Sequence, residues 1–132
     1  MFEENKDNKI YNLIISNGTD ENNERNQFLE KIYSKTDFLW TESVSSSYLT
    51  ASDDFFNKVD VVIILSGLYT NNKEKIDELI EASIKNNKAI LLVRPFGMEE
   101  VPENLEEIAT AIVGWNANCV IGDIKSIVSR DD

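Results

Sequence analysis

The sequence predicts an α/β fold built around a parallel β-sheet. Two short runs, residues 59–65 (VDVVIIL) and 89–93 (AILLV), are almost purely apolar. A strand without a polar face suits the interior of a sheet that is covered on both sides. An amphipathic helix predicted over residues 72–87 separates the two runs. Such a strand–helix–strand unit forms a right-handed crossover, which makes the two strands parallel.

The chain before these runs begins with the same alternation. Residues 10–16 (IYNLIIS) predict the first strand, and Thr19 or Asp20 can cap the helix that follows. We predict that helix over residues 22–34 and a short second strand, at an edge of the sheet, over residues 38–40. The apolar residues at helical spacing in the first helix are Phe28, Leu29, Ile32 and Tyr33.

The longest irregular segment is residues 42–51, which is rich in Ser and Thr and has little periodicity. Long loops in compact domains are often functional, so this segment is either a lid over a pocket or a loose connection. A short helix is predicted directly after it, over residues 52–58, with Ser52 as its cap and Phe55 and Phe56 turned inward.

The second half of the chain is predicted to complete the sheet. Pro102 suits the first turn of a helix over residues 102–110, and a short strand follows at residues 111–114. A last helix is predicted over residues 118–128, with Asn116 as its cap. In the helix predicted over residues 72–87, the apolar stripe consists of Ile76, Leu79, Ile80 and Ile84.

Five strands, each followed by a helix, are typical of the flavodoxin-like fold. This fold is a three-layer sandwich in which the strand order is 2-1-3-4-5. A chain of 132 residues suits one domain, predicted over residues 10–128, with flexible tails at residues 1–9 and 129–132. In such sheets the ligand site lies beyond the carboxyl ends of the strands, so candidate residues are sought there.

Composition excludes several classes of function. The net charge is −11, from 24 acidic and 13 basic residues, which argues against nucleic acid and against an anionic membrane surface as partners. The chain has no His and only one Cys, Cys119, so we expect no intrachain disulfide and no metal site. No apolar run approaches the roughly 20 residues of a membrane span, and residues 1–9 lack the apolar centre of a signal peptide. We therefore predict a cytoplasmic protein.

The end of the first strand is a candidate phosphate site. Ser16, Asn17, Gly18 and Thr19 form a turn whose backbone N–H groups can hold a phosphate at a helix N-terminus. Such a turn also binds flavin mononucleotide in flavodoxins, which is a weaker alternative for this chain. The acidic residues that follow, beginning with Asp20, would repel a phosphate and favour a plain turn with a helix cap.

The third, fourth and fifth strands end in Ser66, Arg94 and the pair Gly114-Trp115. A response-regulator receiver has this fold but needs an Asp after the third strand and a Lys after the fifth, so phosphoryl-aspartate chemistry is not expected. Arg94 is suited either to grip a ligand phosphate or carboxylate or to form an internal salt bridge. Trp115 is either a stacking surface for a base or part of the core. The acids that could form the internal salt bridge with Arg94 are Glu99, Glu100 and Asp123.

An ordered set of segments in the second half resembles a known family. The segments are residues 60–69 (DVVIILSGLY), residues 88–97 (KAILLVRPFG), Val101-Pro102 and residues 112–116 (IVGWN). This set resembles the small TIR-like domains of archaea and bacteria, a family that includes the TIR subunit of the Thoeris anti-phage system. The resemblance covers about residues 13–128 and implies the flavodoxin-like fold.

The resemblance also implies a chemistry. Active TIR domains split NAD, or convert it into a cyclised or conjugated ADP-ribose signal, with a Glu in the helix after the central strand. Glu78, followed by Leu79, is the best match here, whereas Glu74 occupies the place of the usual bulky residue four positions earlier. From its own pattern, Glu78 is otherwise an ordinary solvated acid in an acidic helix.

Two main hypotheses follow. In the first, NAD lies across the carboxyl ends of the strands near Ser16 and Ser66, and Glu78 stabilises positive charge as the glycosidic bond breaks. This chemistry requires no cofactor, and NAD is the substrate. In the second, the pocket is degenerate and the domain acts through a protein partner or through self-association.

Overall fold

The fold was obtained as a computed structural model that describes residues 9–16, 24–95 and 101–130. Its five strands form one sheet in the order β2-β1-β3-β4-β5, and all neighbours are parallel. The predicted flavodoxin-like α/β fold is therefore confirmed, with the second strand at an edge. The strands are β1 (Ile10–Ile15), β2 (Leu39–Glu42), β3 (Val61–Leu65), β4 (Ile90–Val93) and β5 (Ala111–Val113).

A helix lies between each pair of consecutive strands, and one more follows the last strand. Two single 3₁₀ turns, Ser66–Leu68 and Thr70–Asn72, join β3 to the third helix. The last helix continues through Arg130, two residues beyond its predicted end, because no Gly or Pro interrupts it there. The helices are α1 (Glu24–Tyr33), α2 (Asp53–Asn57), α3 (Lys73–Lys85), α4 (Glu103–Ile108) and α5 (Ala117–Arg130).

The two central strands are buried on both faces, as their apolar sequences predict. Every residue of β3 and β4 is buried, and Val62 to Leu65 pair in register with Ile90 to Val93. Asp60 is the one acid beside these strands, and it lies at the amino end of β3. There it accepts a hydrogen bond of 2.8 Å from the Asn12 N–H and pairs with Lys9 at 3.4 Å.

Two predicted helix caps are confirmed, whereas the cap predicted at Thr19 or Asp20 falls outside the described residues. The Ser52 hydroxyl accepts a hydrogen bond of 3.2 Å from the Phe55 N–H, and Phe56 behind it is fully buried. The Asn116 side-chain oxygen accepts a bond of 3.1 Å from the Cys119 N–H at the start of α5. These side chains satisfy N–H groups that have no partner within the first turn of a helix.

Two details of the predicted elements are wrong. Phe38 is not part of β2: it is buried, and its ring stacks on that of Tyr11 with the centroids 5.2 Å apart. The strand begins one residue later, at Leu39, and extends to Glu42 because it pairs with β1 along its length. Ile84 is 54% exposed and does not belong to the buried stripe of α3. Ser83 takes that place, since it lies seven residues after Ile76, close to two full helical turns. Its hydroxyl donates to the Leu79 carbonyl at 2.7 Å, which allows a polar side chain to be buried there.

Candidate functional site

A cavity lies between the loop that follows β2 and the first half of α3. Its volume is about 800 Å³. We call residues 44–48 the loop wall and residues 74–79 the helix wall. The lining residues are Val44, Ser45, Ser46, Ser47 and Tyr48 from the loop wall and Glu74, Lys75, Ile76, Glu78 and Leu79 from the helix wall.

The loop wall is attached to the sheet at its start and folds back on itself. The Ser43 N–H donates to the Leu13 carbonyl at 2.8 Å, and its hydroxyl bonds the Asn12 side-chain oxygen at 2.5 Å. The Ser45 hydroxyl donates to the Ser47 carbonyl at 3.0 Å, so the serines form a local turn. Local hydrogen bonds therefore shape this wall, and its three serines line the cavity.

Tyr48 ends the loop wall and places a phenol beside the cavity. Its ring lies 6.1 Å from that of Phe55, at the start of α2. The pKa of the phenol lies above its ordinary value of 10.0, first because burial disfavours the phenolate and also because the Glu42 carboxylate is near. A hydrogen bond with the Ser45 backbone and the charge of Arg25 act in the opposite direction. Tyr48 therefore stays protonated at neutral pH and can both donate and accept hydrogen bonds.

The helix wall is anchored in the hydrophobic core. Ile76 and Leu79 are nearly fully buried, which fixes the rotation of α3 and directs Glu74 and Glu78, four residues apart, to the same side of the helix. Glu78 is half-buried and Glu74 is exposed. Lys75 is the only cation among the residues that line the cavity. The wall thus offers two carboxylates and one ammonium group.

A network of side chains holds the first turn of α3. The Tyr69 hydroxyl donates to the Asp77 carboxylate at 2.7 Å and accepts from the Asn104 amide at 2.9 Å. Lys73 pairs with the same carboxylate at 3.2 Å, and this hydrogen bond with Asp77 is the main reason that the pKa of Lys73 is raised above 10.5. These contacts tie the start of α3 to α4.

Ser16 has a structural place at the carboxyl end of β1. It is fully buried, its N–H donates to the Ile63 carbonyl at 2.8 Å, and its hydroxyl accepts a bond of 2.9 Å from the Leu65 N–H. Ser66, at the end of β3, is 6% exposed, and its hydroxyl has no hydrogen-bond partner in the described part of the chain. Neither serine lines the cavity, so their ligand-binding roles stay predictions.

Arg94 and Trp115, the other predicted site residues that the structure describes, do not line the cavity either. Arg94 is half-buried after β4, and it forms no ion pair with Asp123 or with any other residue of the described ranges. Trp115 is half-buried and packs against Phe28 with the ring centroids 5.9 Å apart, which favours its reading as part of the core. The predictions for Asn17 and Asp20, and the alternative partners Glu99 and Glu100, fall outside the described residues.

An ion pair lies between the carboxyl ends of β1 and β2, next to the loop wall. The Arg25 guanidinium, at the start of α1, pairs with the Glu42 carboxylate and also donates to the Ser16 carbonyl at 3.3 Å. The two side chains are 19% and 21% exposed. The Glu24 carboxylate lies against Gly67, in the turn after β3, and a Cβ atom at this position would require the flexible Glu24 side chain to shift.

Comparison with known proteins identifies the family. A family model for the TIR-like domain of the Thoeris protein ThsB matches residues 1–100. The chain belongs to this family. The match includes β1 to β4, the loop wall and the helix wall, and it confirms the resemblance seen in the sequence. No curated protein matches the chain.

Membership supports, at a coarse level, a part for this TIR-like domain in anti-phage signalling. In the ranges that the structure describes, no helix is both long and apolar enough to cross a membrane. Among the predicted site residues that lie in the described ranges, Glu78 alone lines the cavity. The residues that face it across the cavity were not predicted individually, because only the length and Ser content of their loop distinguish them in the sequence.

Proposed function

We propose that this TIR-like domain binds NAD or a related nucleotide in the cavity and processes it with Glu78. The observation that carries the proposal is the position of Glu78, a half-buried residue that lines a cavity of about 800 Å³ together with the serines and the tyrosine of the loop wall. The volume of about 800 Å³ lies within the usual range for small-molecule sites, about 300–1,000 Å³.

The chemistry of the reaction suits a carboxylate at this place. The bond between C1′ of the nicotinamide ribose and the pyridine nitrogen breaks, nicotinamide leaves as a neutral molecule with the bonding electrons, and positive charge develops on the ribose. Glu78 accepts hydrogen bonds from the ribose hydroxyls and stabilises that charge before water or another nucleophile bonds to C1′.

The other lining groups have complementary tasks in this proposal. The hydroxyls of Ser45 to Ser47 and the phenol of Tyr48 offer hydrogen bonds to ribose and base. Lys75 supplies a positive charge for the pyrophosphate, which carries two negative charges. The exposed Val44 side chain provides apolar surface for a ring.

The alternative function is a non-catalytic module that acts through a protein partner. Glu74 favours it, because this exposed carboxylate stands one turn before Glu78, where the resemblance implies a bulky side chain, and it adds negative charge to the cavity. Flavin binding at the Ser16 turn stays a weaker alternative. A colourless purified protein would count against it.

The test is incubation of the purified domain with NAD, at micromolar and then near-millimolar concentration, followed by mass spectrometry of the nucleotides. We expect nicotinamide release by the wild type and a loss of about 10²–10³-fold in Glu78→Gln, the usual cost of removing a charge-stabilising group. Glu81→Gln is the matched control, because Glu81 is an exposed acid of the same helix and does not line the cavity.

Two results would contradict the proposal. One is a wild type that releases no nicotinamide even at high protein concentration, which would favour the interaction module. The other is release that is equally fast in Glu78→Gln. The mass of the product separates hydrolysis from cyclisation or conjugation.

A further inference from the structure

The Arg25–Glu42 pair lies where the loop wall begins. Glu42 is the last residue of β2, and the loop starts at the next position. The Arg25 guanidinium donates to two acceptors at once, the Glu42 carboxylate and the Ser16 carbonyl. The pair thereby joins the start of α1 to the carboxyl ends of two neighbouring strands.

The far end of the loop wall is joined to the pair through a short piece of chain. Ser43, directly after Glu42, is bonded to β1 through its N–H and its hydroxyl, and Tyr48 is six positions beyond Glu42. The charges of Glu42 and Arg25 also act, in opposite directions, on the pKa of the Tyr48 phenol. The same side chain lines the cavity opposite Glu78. The loop from Ser43 to Tyr48 therefore leads from the ion pair to the cavity, although neither charged residue lines the cavity itself.

Most hydrogen bonds that the structure shows within this loop are local. The Ser47 carbonyl accepts from the hydroxyls of Ser45 and Thr50, and the Ala51 N–H donates to the Tyr48 carbonyl at 3.4 Å. Such bonds shape the loop but do not fix its position on the domain. Its position depends on the attachments at its start, where the ion pair lies, and on the packing of Tyr48.

We propose that Arg25 and Glu42 are positioning residues that set the distance of the loop wall from Glu78 and so control how tightly the cavity holds its nucleotide. This inference rests on the proposed function for the identity of the occupant. The pair acts through Tyr48 and the loop, without contact with the nucleotide.

The energetics of the pair make it act as a unit. Both side chains are about four-fifths buried, so removal of Arg25 leaves the Glu42 carboxylate poorly solvated, and removal of Glu42 takes from Arg25 the acceptor that carries the opposite charge. Each single substitution should then release the loop by itself. Once the pair is broken, the second substitution should add little, which is the signature of two directly coupled residues.

The first experiment is hydrogen exchange of the backbone amides in Arg25→Gln, Glu42→Gln and the double variant. We expect exchange of the amides in residues 43–52 to rise at least about tenfold in each single variant, the effect of losing a charge-assisted hydrogen bond. The double variant should exceed the larger single effect by less than about twofold, and the amides of β3 should be unchanged.

The matched control is Lys9→Gln, which breaks the Lys9–Asp60 ion pair at the opposite end of the sheet. It should leave exchange in residues 43–52 as in the wild type. Unchanged exchange in the single variants, or effects that add in the double variant, would overturn the proposal. Arg25→Lys keeps the positive charge but loses the planar guanidinium group, so its amides should exchange more slowly than those of Arg25→Gln. It also replaces Arg25→Gln in the experiment if that variant does not fold.

The second experiment is the steady-state kinetics of NAD processing by the same variants. We expect KM to rise at least about fivefold in Arg25→Gln with kcat within about twofold of the wild type, because Glu78 keeps its place on α3. If the wild type does not process NAD, the proposed function fails, and the exchange experiment still tests whether the Arg25–Glu42 pair holds the loop. If the loop opens but KM is unchanged, the positioning role is wrong and the proposed function stands.

Discussion

Ser16 and Ser66 lie at the carboxyl ends of adjacent strands, and the structure predicts opposite outcomes when each loses its hydroxyl. The Ser16 hydroxyl accepts a bond of 2.9 Å from the Leu65 N–H in a fully buried place. Ser16→Ala would leave that N–H without a partner. A buried donor that loses its acceptor costs about 1–3 kcal/mol, so we expect a loss of about 2 kcal/mol in the free energy of unfolding.

The Ser66 hydroxyl is equally removed from water but has no partner in the described ranges. Burial of an unpaired hydroxyl costs about 1–3 kcal/mol in proteins, and its removal returns part of that cost while a small cavity forms. We therefore expect Ser66→Ala to be between neutral and about 1 kcal/mol more stable than the wild type. The two variants should differ by about 2–3 kcal/mol, although each removes one oxygen atom.

Urea unfolding followed by circular dichroism measures both variants. For a domain of this size m is about 1–3 kcal/mol/M, so a loss of 2 kcal/mol lowers the midpoint by about 1 M. Equal shifts for the two variants, or a larger loss in Ser66→Ala, would refute the assignment of Ser16 as the structural serine. If Ser66 binds the nucleotide, as the sequence predicts, NAD should raise the midpoint of the wild type more than that of Ser66→Ala.

Two further predictions concern the core and the loop wall. Ile63→Ala should lower the free energy of unfolding by about 2–5 kcal/mol because Ile63 is fully buried, whereas Ile84→Ala, at a position that is 54% exposed, should change it by less than about 1 kcal/mol. Urea midpoints decide this, and similar losses would contradict the observed rotation of α3. The raised pKa of Tyr48 means that its contribution to stability is complete below pH 10.0, where the unfolded phenol titrates, and is lost as the pH rises through the higher folded value. Stability measured from pH 9 to about 11 should therefore fall less steeply in Tyr48→Phe than in the wild type, and parallel curves would contradict the burial of this phenol.

The sequence predicts the centre of this fold better than its edges. The strands β3 and β4 are apolar at nearly every position, and burial on both faces leaves no other arrangement for them. At the edge strand β2, by contrast, the apolar residue Phe38 does not mark the start of the strand. Its ring packs on Tyr11 before the strand begins. Ile84 shows a related limit, because an apolar side chain can lie on the surface without cost, and pattern alone cannot separate it from the core.

The site was predictable only in part. Glu78 follows from the family resemblance and its place in the third helix. Tyr48 and the serines before it carry no periodicity, and their position across from Glu78 depends on how the loop folds back. The Arg25–Glu42 pair joins residues 17 positions apart, and the sequence around them contains many other charges that are equally able to pair. Long-range pairing of this kind is decided by the packed structure.

The two walls of the cavity differ in how firmly they belong to the domain. The helix wall is anchored by Ile76 and Leu79 in the core, whereas the loop wall continues from β2, an edge strand whose residues are half-buried or exposed. Local opening in proteins starts where the least apolar surface is buried. Substitutions in the loop can therefore change the shape of the cavity while the sheet keeps its stability. Under the proposed function, such changes would alter the nucleotide that fits while Glu78 keeps its place on α3.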